Sequence, residues 1–128
     1  MKKITTQATI TSFTNPENKN FIIQSVIECI NYNNLMCEKI FDMKYALAEA
    51  INNAFSYAYP NNQGKVSVSI TVYDNKVLKL KVRDYGCGIR DIAKATGIGF
   101  SIMEELSDKL TVNSTLGKGT IVTMEFQM

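Results

Sequence analysis

Four glycines and one aspartate are concentrated in DYGCGIRDIAKATGIGFSIM, residues 84–103. Asp84 closes an apolar alternating run, so its carboxylate is held at the end of a strand. There it can accept a hydrogen bond from an amino group such as that of adenine. Gly86, Gly88, Gly97 and Gly99 remove the Cβ atoms that would keep backbone away from a ligand. A glycine-rich opening of a helix also presents unpaired N–H groups and a positive dipole end, which suits phosphate. Upstream, Glu49 and Asn53 are four residues apart in a helical pattern, so their side chains point the same way one turn apart. Taken alone, each set has a plain explanation: two tight turns around a helix, and a solvated helix face.

Composition narrows the chemistry. The chain has 128 residues, is 45% hydrophobic and carries a formal net charge of +2, which predicts one domain over residues 1–128 with a core of ordinary size. Arginine occurs only at Arg83 and Arg90 and no long basic run exists, so direct binding of nucleic acid is not expected. The sequence contains no histidine, which excludes a histidine base, metal ligand or phosphoacceptor within this chain. Cys29, Cys37 and Cys87 lack metal-ligand spacing, and an odd number cannot all pair. Free thiols and a cytoplasmic location are expected. Met1-Lys2-Lys3 resembles the start of a signal peptide, but ITTQATIT is too polar for its apolar region. No apolar run reaches spanning length, so no membrane is expected.

The elements that must position these residues follow from periodicity. Residues 3–13 alternate weakly, with Ile4, Thr6, Ala8 and Ile10 on one side, and predict a strand. Asn15-Pro16-Glu17 predicts a helix start with Asn15 as N-cap, and Ile22, Ile23, Val26, Ile27 and Ile30 continue at helical spacing to about Asn31–Asn34. A second helix is predicted from about Cys37 to Tyr57, with Ile40, Met43, Leu47, Ala50, Ile51, Ala54 and Phe55 as its apolar stripe. Val66, Val68, Ile70 and Val72 alternate with polar residues, Asp74-Asn75-Lys76 turns, and Leu78, Leu80 and Val82 alternate back to Asp84. Phe100, Ile102, Met103 and Leu106 mark a helix ending near Asp108. Leu110–Ser114 and Thr120–Phe126 predict a last antiparallel pair. The order places helices on one face of a mixed, mainly antiparallel sheet: an α+β, two-layer α/β sandwich.

Three motifs in this order carry a resemblance. EAINNA (residues 49–54), VRDYGCGI (82–89) and TGIGFSIMEELSDKLTVNSTLGKGTIVTM (96–124) resemble the N box, the first glycine box and the second glycine box of the GHKL ATPase superfamily. The nearest resemblance is to the anti-sigma-factor serine kinases of sporulating and stress-responding bacteria. It implies the Bergerat type of ATP-binding sandwich, with ATP and Mg²⁺ as cofactors. By this resemblance Glu49 is the general base that activates a hydroxyl for attack on the γ-phosphate, and Asn53 is the Mg²⁺ ligand. A carboxylate on a rigid helix and an amide oxygen facing a hard cation suit those tasks. Asp84 reads the adenine amino group, Gly86 and Gly88 let the base lie against backbone, Thr120 supports the adenine–Asp network, and Gly97 and Gly99 open the helix near the phosphates. The partners implied are a sigma factor and an anti-anti-sigma protein, with a homodimer as the usual assembly.

The sequence departs from that pattern twice. The segment between the glycine boxes, Ile89 to Thr96, is short against the family's ATP lid, with Arg90 and Lys94 as its basic residues. Tyr57 stands where related kinases often carry a histidine. Two functions therefore follow from the resemblance: a protein serine/threonine kinase acting on an anti-anti-sigma partner, or a lid-deficient, non-catalytic module that sequesters a regulatory partner. A histidine kinase would need a phosphoacceptor histidine on a dimerisation helix pair, and this chain has neither.

Overall fold

The computed structural model describes residues 3–32, 39–60, 62–89 and 98–128. Among these, strand β1 (Ile4–Phe13) precedes helices α1 (Asn18–Tyr32) and α2 (Ile40–Tyr57). The hairpin of β2 (Lys65–Tyr73) and β3 (Val77–Asp84) follows, then α3 (Ile98–Leu106) and the hairpin of β4 (Lys109–Thr115) and β5 (Gly119–Gln127). The strands form one sheet in the order β1-β2-β3-β5-β4. Every pairing in it is antiparallel. The sequence allowed a mixed sheet. Antiparallel pairing throughout results because α3 carries the chain across β5's place to β4, and the last hairpin then turns back to pair with β3.

The alternation in β2 and β3 translates directly into burial. Val66, Val68, Ile70, Val72, Leu78, Leu80 and Val82 are buried, while the lysines and arginine between them face the other side. Register aligns the inward residues in rows across the sheet. Ile10, Val68, Val82, Val122 and Val112 make one row, and Ala8, Ile70, Leu80, Met124 and Leu110 the next. Against these rows α2 sets Met43, Leu47, Ala50, Ile51 and Ala54, α1 sets Ile22, Val26 and Ile30, and α3 sets Met103. Burial of aliphatic side chains on this scale is the main stabilising term. Helix α2 touches both α1 and α3, so it is the central member of the helical layer. Ala46 joins its buried stripe beyond the predicted set, while Ile40 and Phe55 are only partly buried.

Some expected boundaries move. Helix α1 starts at Asn18, not at Pro16, because Asn15 to Glu17 form a turn in which the carbonyl of Asn15 accepts the Asn18 N–H at 2.9 Å. Thr14 is committed instead to the β1–β2 side: its N–H donates to the Gly64 carbonyl, and its hydroxyl accepts the Gly64 N–H. Edge strand β1 bulges between Ile4 and Thr6 and leaves Ile4 49% exposed, off the face predicted for it. The predicted start of α2 at Cys37 falls outside the described residues. In the β2–β3 turn, Asp74 and Asn75 have φ of 53° and 54°, the positive values that a twist-compatible hairpin turn demands and that these residue types tolerate.

Candidate functional site

The site begins with a change of chemistry in one row of the sheet. Four rows run across its helix-facing side, and the row nearest the β3 exit reads Ser12, Val66, Asp84, Thr120, Ser114. Three adjacent polar residues therefore cap an otherwise aliphatic face. Asp84 and Thr120 are 8% and 7% exposed. A buried polar row needs partners, and these are present. Asp84 Oδ1 accepts the N–H of Gly86 at 3.0 Å and the N–H of Thr120 at 3.2 Å. Among the described residues Oδ2 has no partner, and no buried side-chain polar atom is left unsatisfied. Oδ2 is thus the open acceptor of a carboxylate whose other oxygen is fully engaged. Burial raises the Asp84 pKa above the usual aspartate range, and the two backbone N–H groups offset part of that rise.

Asp84 opens into a cavity of about 670 Å³ between α2, α3 and the sheet, a size typical of ligand clefts. Its walls include Glu49, Asn53, Asp84, Gly88, Gly99 and Thr120. Helix α2 presents Glu49 and Asn53 on one face, as their spacing predicts. The beginning of α3 lies against both: a Cβ on Gly99 would sit 3.1 Å from Glu49 Oε2 and 3.2 Å from Asn53 Nδ2. The missing side chain at Gly99 therefore keeps open the space bounded by the carboxylate, the amide and the first turn of α3. That turn contributes Ile98, Gly99 and Phe100 to the wall, with the unpaired N–H groups and positive dipole end common to helix starts. The cavity thus has a carboxylate acceptor at one end and an acid–amide pair beside a helix start at the other. That division suits a ligand with an amino-bearing base and a polyanionic tail, and the amide oxygen of Asn53 suits a hard cation.

The glycines divide by task. Gly88 has φ +77° and lines the cavity, in a backbone region closed to most side chains. Gly86 is not on the cavity wall. Its absent Cβ is taken up by α2, because a side chain there would collide with the Ala58 carbonyl oxygen. That same oxygen accepts the Cys87 N–H at 3.0 Å, and the Cys87 carbonyl accepts the Gly117 N–H at 2.9 Å. The first glycine turn is therefore held between the end of α2 and the β4–β5 turn. Gly97, Arg90, Lys94 and all but the first residue of the short lid segment lie outside the described residues. Tyr57, at the position of the departure, is 72% exposed and borders the cavity.

Three residues with parts in this architecture escaped the sequence reading. The Tyr59 hydroxyl donates to the Lys65 carbonyl at 2.7 Å and accepts the Tyr85 N–H at 2.8 Å, which fixes the chain on leaving β3. Burial raises the Tyr59 pKa, so it keeps its proton at neutral pH. Ala58, the residue after α2, supplies the carbonyl already described. Ser114 bonds Thr120 side chain to side chain at 2.8 Å. The short turn between β4 and β5 was the available signal for Ser114, since it fixes the register that pairs Ser114 with Thr120.

The profile of the histidine kinase-like ATPase domain matches residues 15–126. The chain belongs to this family. Among curated relatives, an anti-sigma F factor of Caldanaerobacter subterraneus subsp. tengcongensis is 38% identical over 100 residues, covering 68% of this chain and 69% of that protein. The anti-sigma F factor of Clostridium acetobutylicum is 33% identical over 122 residues, covering 85% of each. Among solved structures, the RsbU and RsbW domains of a Mycobacterium tuberculosis protein match with TM-score 0.72 at 20% identity, over 95% of this chain and 32% of that one. A histidine kinase domain of Erythrobacter litoralis matches with TM-score 0.65 at 20% identity, over 84% of this chain and 60% of that one. At such identities these two structures attest the fold, the α+β sandwich of this ATPase family, and this chain spans only part of each. Among the described residues no helix is long and apolar enough to cross a membrane.

Proposed function

We propose that this chain is an ATP-binding anti-sigma regulator that phosphorylates a serine or threonine of an anti-anti-sigma protein and also binds a sigma factor. The observation that carries the reading is the pairing of two unlike ends in one cavity: the open Oδ2 of Asp84, and Glu49 with Asn53 at the start of α3. Family membership supports ATP as the ligand, and relatives named anti-sigma F factor support a sigma-factor partner.

In this reading Asp84 accepts the adenine amino N–H, while Gly88 lets the base lie close to backbone. Asn53 would hold Mg²⁺, which neutralises charge on the phosphates. Glu49 takes the proton of the acceptor hydroxyl as its oxygen bonds to the γ-phosphorus and the bond to ADP breaks. The surrounding aliphatic row restricts water near the base. The short segment between the glycine boxes favours a second reading, a protein-binding module that has kept the pocket without the transfer. The two separate in one experiment. Glu49→Ala should retain Mg·ATP binding by calorimetry and lose phosphate transfer to an anti-anti-sigma substrate by a factor of about a hundred or more. A wild-type protein that binds ATP without transferring phosphate favours the module. Failure of the wild type to bind ATP removes both nucleotide readings.

A further inference from the structure

Ser114 sits one strand away from the cavity and is not part of its wall, yet its hydroxyl touches three groups of the site. Oγ accepts the N–H of Ile89 at 2.7 Å, lies 2.8 Å from Thr120 Oγ1, and lies 3.3 Å from the carbonyl oxygen of Gly119. A serine hydroxyl has one proton to give. Of its two acceptors, Thr120 Oγ1 is at the usual O–H···O distance and Gly119 is beyond it. The proton therefore goes to Thr120. That leaves the Thr120 hydroxyl with its own proton to donate, and no described protein acceptor takes it. Thr120 lines the cavity, and its strand partner is Asp84.

We propose that Ser114 is a positioning residue for base selection: it orients the Thr120 hydroxyl as a donor beside the open acceptor of Asp84. The inference rests on the reading of the cavity as an ATP site. An acceptor next to a donor complements the edge of adenine, which offers an amino donor next to a ring-nitrogen acceptor. Hypoxanthine offers the reverse on that edge, a carbonyl acceptor next to an N–H donor, and opposes both protein groups. Ser114 thus sharpens the choice between purines without touching one. With the serine hydroxyl removed, Thr120 is free to rotate and accept, and the penalty against the reversed edge shrinks.

The test measures Kd for Mg·ATP and Mg·ITP by calorimetry on the whole chain, as wild type, Ser114→Ala, Ser114→Thr and Thr120→Val. The expected result is a wild-type preference for ATP that narrows about fivefold in Ser114→Ala, the scale of one neutral hydrogen bond. Ser114→Thr should restore it. A purely structural role, through the lost bond to Ile89, would weaken both nucleotides by one factor and leave their ratio unchanged. An unchanged ratio overturns the proposal and leaves the ATP reading standing. Thr120→Val keeps the shape and deletes the hydroxyl, so it too should narrow the ratio. If Ser114→Ala fails to fold, a ratio unaltered in Thr120→Val overturns the proposal instead. A wild type that binds neither nucleotide overturns the ATP reading and this inference together.

Discussion

At the scale of single residues, Asp84 shows how burial and hydrogen bonding share one carboxylate. Two backbone N–H groups occupy Oδ1, and Oδ2 keeps its lone pairs for the cavity. Burial raises its pKa, so on acidification it takes up a proton sooner than an exposed aspartate. The protonated acid is a poor acceptor for an amino group. ATP affinity should therefore fall as pH drops through the raised Asp84 pKa, beginning above the ordinary aspartate value of about 3.9. Calorimetric titration at a series of pH values checks this. Because ATP itself titrates, an adenosine titration provides the reference, and Asp84→Asn should bind weakly at every pH. The position of Asp84 was legible in the sequence, since an apolar alternating run ended on it. Which oxygen was spent and which was left open depended on the N–H of Thr120, 36 positions away.

Between elements, the contact that matters most to the site is that of the α2 end with the first glycine turn. Pro60 cannot continue a helix, so α2 gives out after Ala58, whose carbonyl is free to accept the Cys87 N–H. Gly86 passes directly over that carbonyl. Gly86→Ala should force the turn away from α2, destabilise the protein by about 1–3 kcal/mol through overpacking, and weaken ATP binding. Denaturant unfolding and calorimetry on the same variant measure the two effects. Within α2 itself, Leu47 is fully buried between sheet and helices. Leu47→Ala should cost about 3 kcal/mol in denaturant unfolding while leaving the cavity residues in place. The helical spacing of Glu49 and Asn53 was sufficient to predict their shared face. The glycine turn's dependence on Ala58 was not readable, because it joins residues about thirty positions apart through one backbone oxygen.

On the whole molecule, the sheet separates its ends chemically. The site lies at the Asp84 end. At the far end Asp108 Oδ2 accepts Lys39 Nζ at 2.8 Å and the Gln127 N–H at 2.7 Å, tying the starts of α2 and β4 to the end of β5. These bonds lower the Asp108 pKa, the Gln127 N–H first and the Lys39 side chain next. A lowered folded-state pKa means the unfolded chain binds the proton more readily. This contribution to stability is complete above the ordinary aspartate range and is lost as pH falls through the folded value. Asp84 has the opposite sign, because its raised pKa favours folding in acid. Asp108→Asn should lower stability at neutral pH by less than about 1 kcal/mol, since the Lys39 pair is exposed. It should also flatten the acid limb, as urea unfolding against pH would show.

The alternation of β2 and β3, the apolar stripe of α2 and the glycine-bounded Asp84 were decided locally, by side-chain periodicity and by residues whose backbone preferences stand on their own. From these the sequence by itself determined a two-layer sandwich, the elements bearing Glu49, Asn53, Asp84 and Thr120, and the family whose motifs they match. Register and packing determined the rest. Wholly antiparallel pairing, the late start of α1 at Asn18, the seating of Gly86 on Ala58 and the hydroxyl pair of Ser114 and Thr120 depend on hydrogen bonds between distant segments. Such bonds have no periodicity along the chain, so only the tertiary structure could assign them.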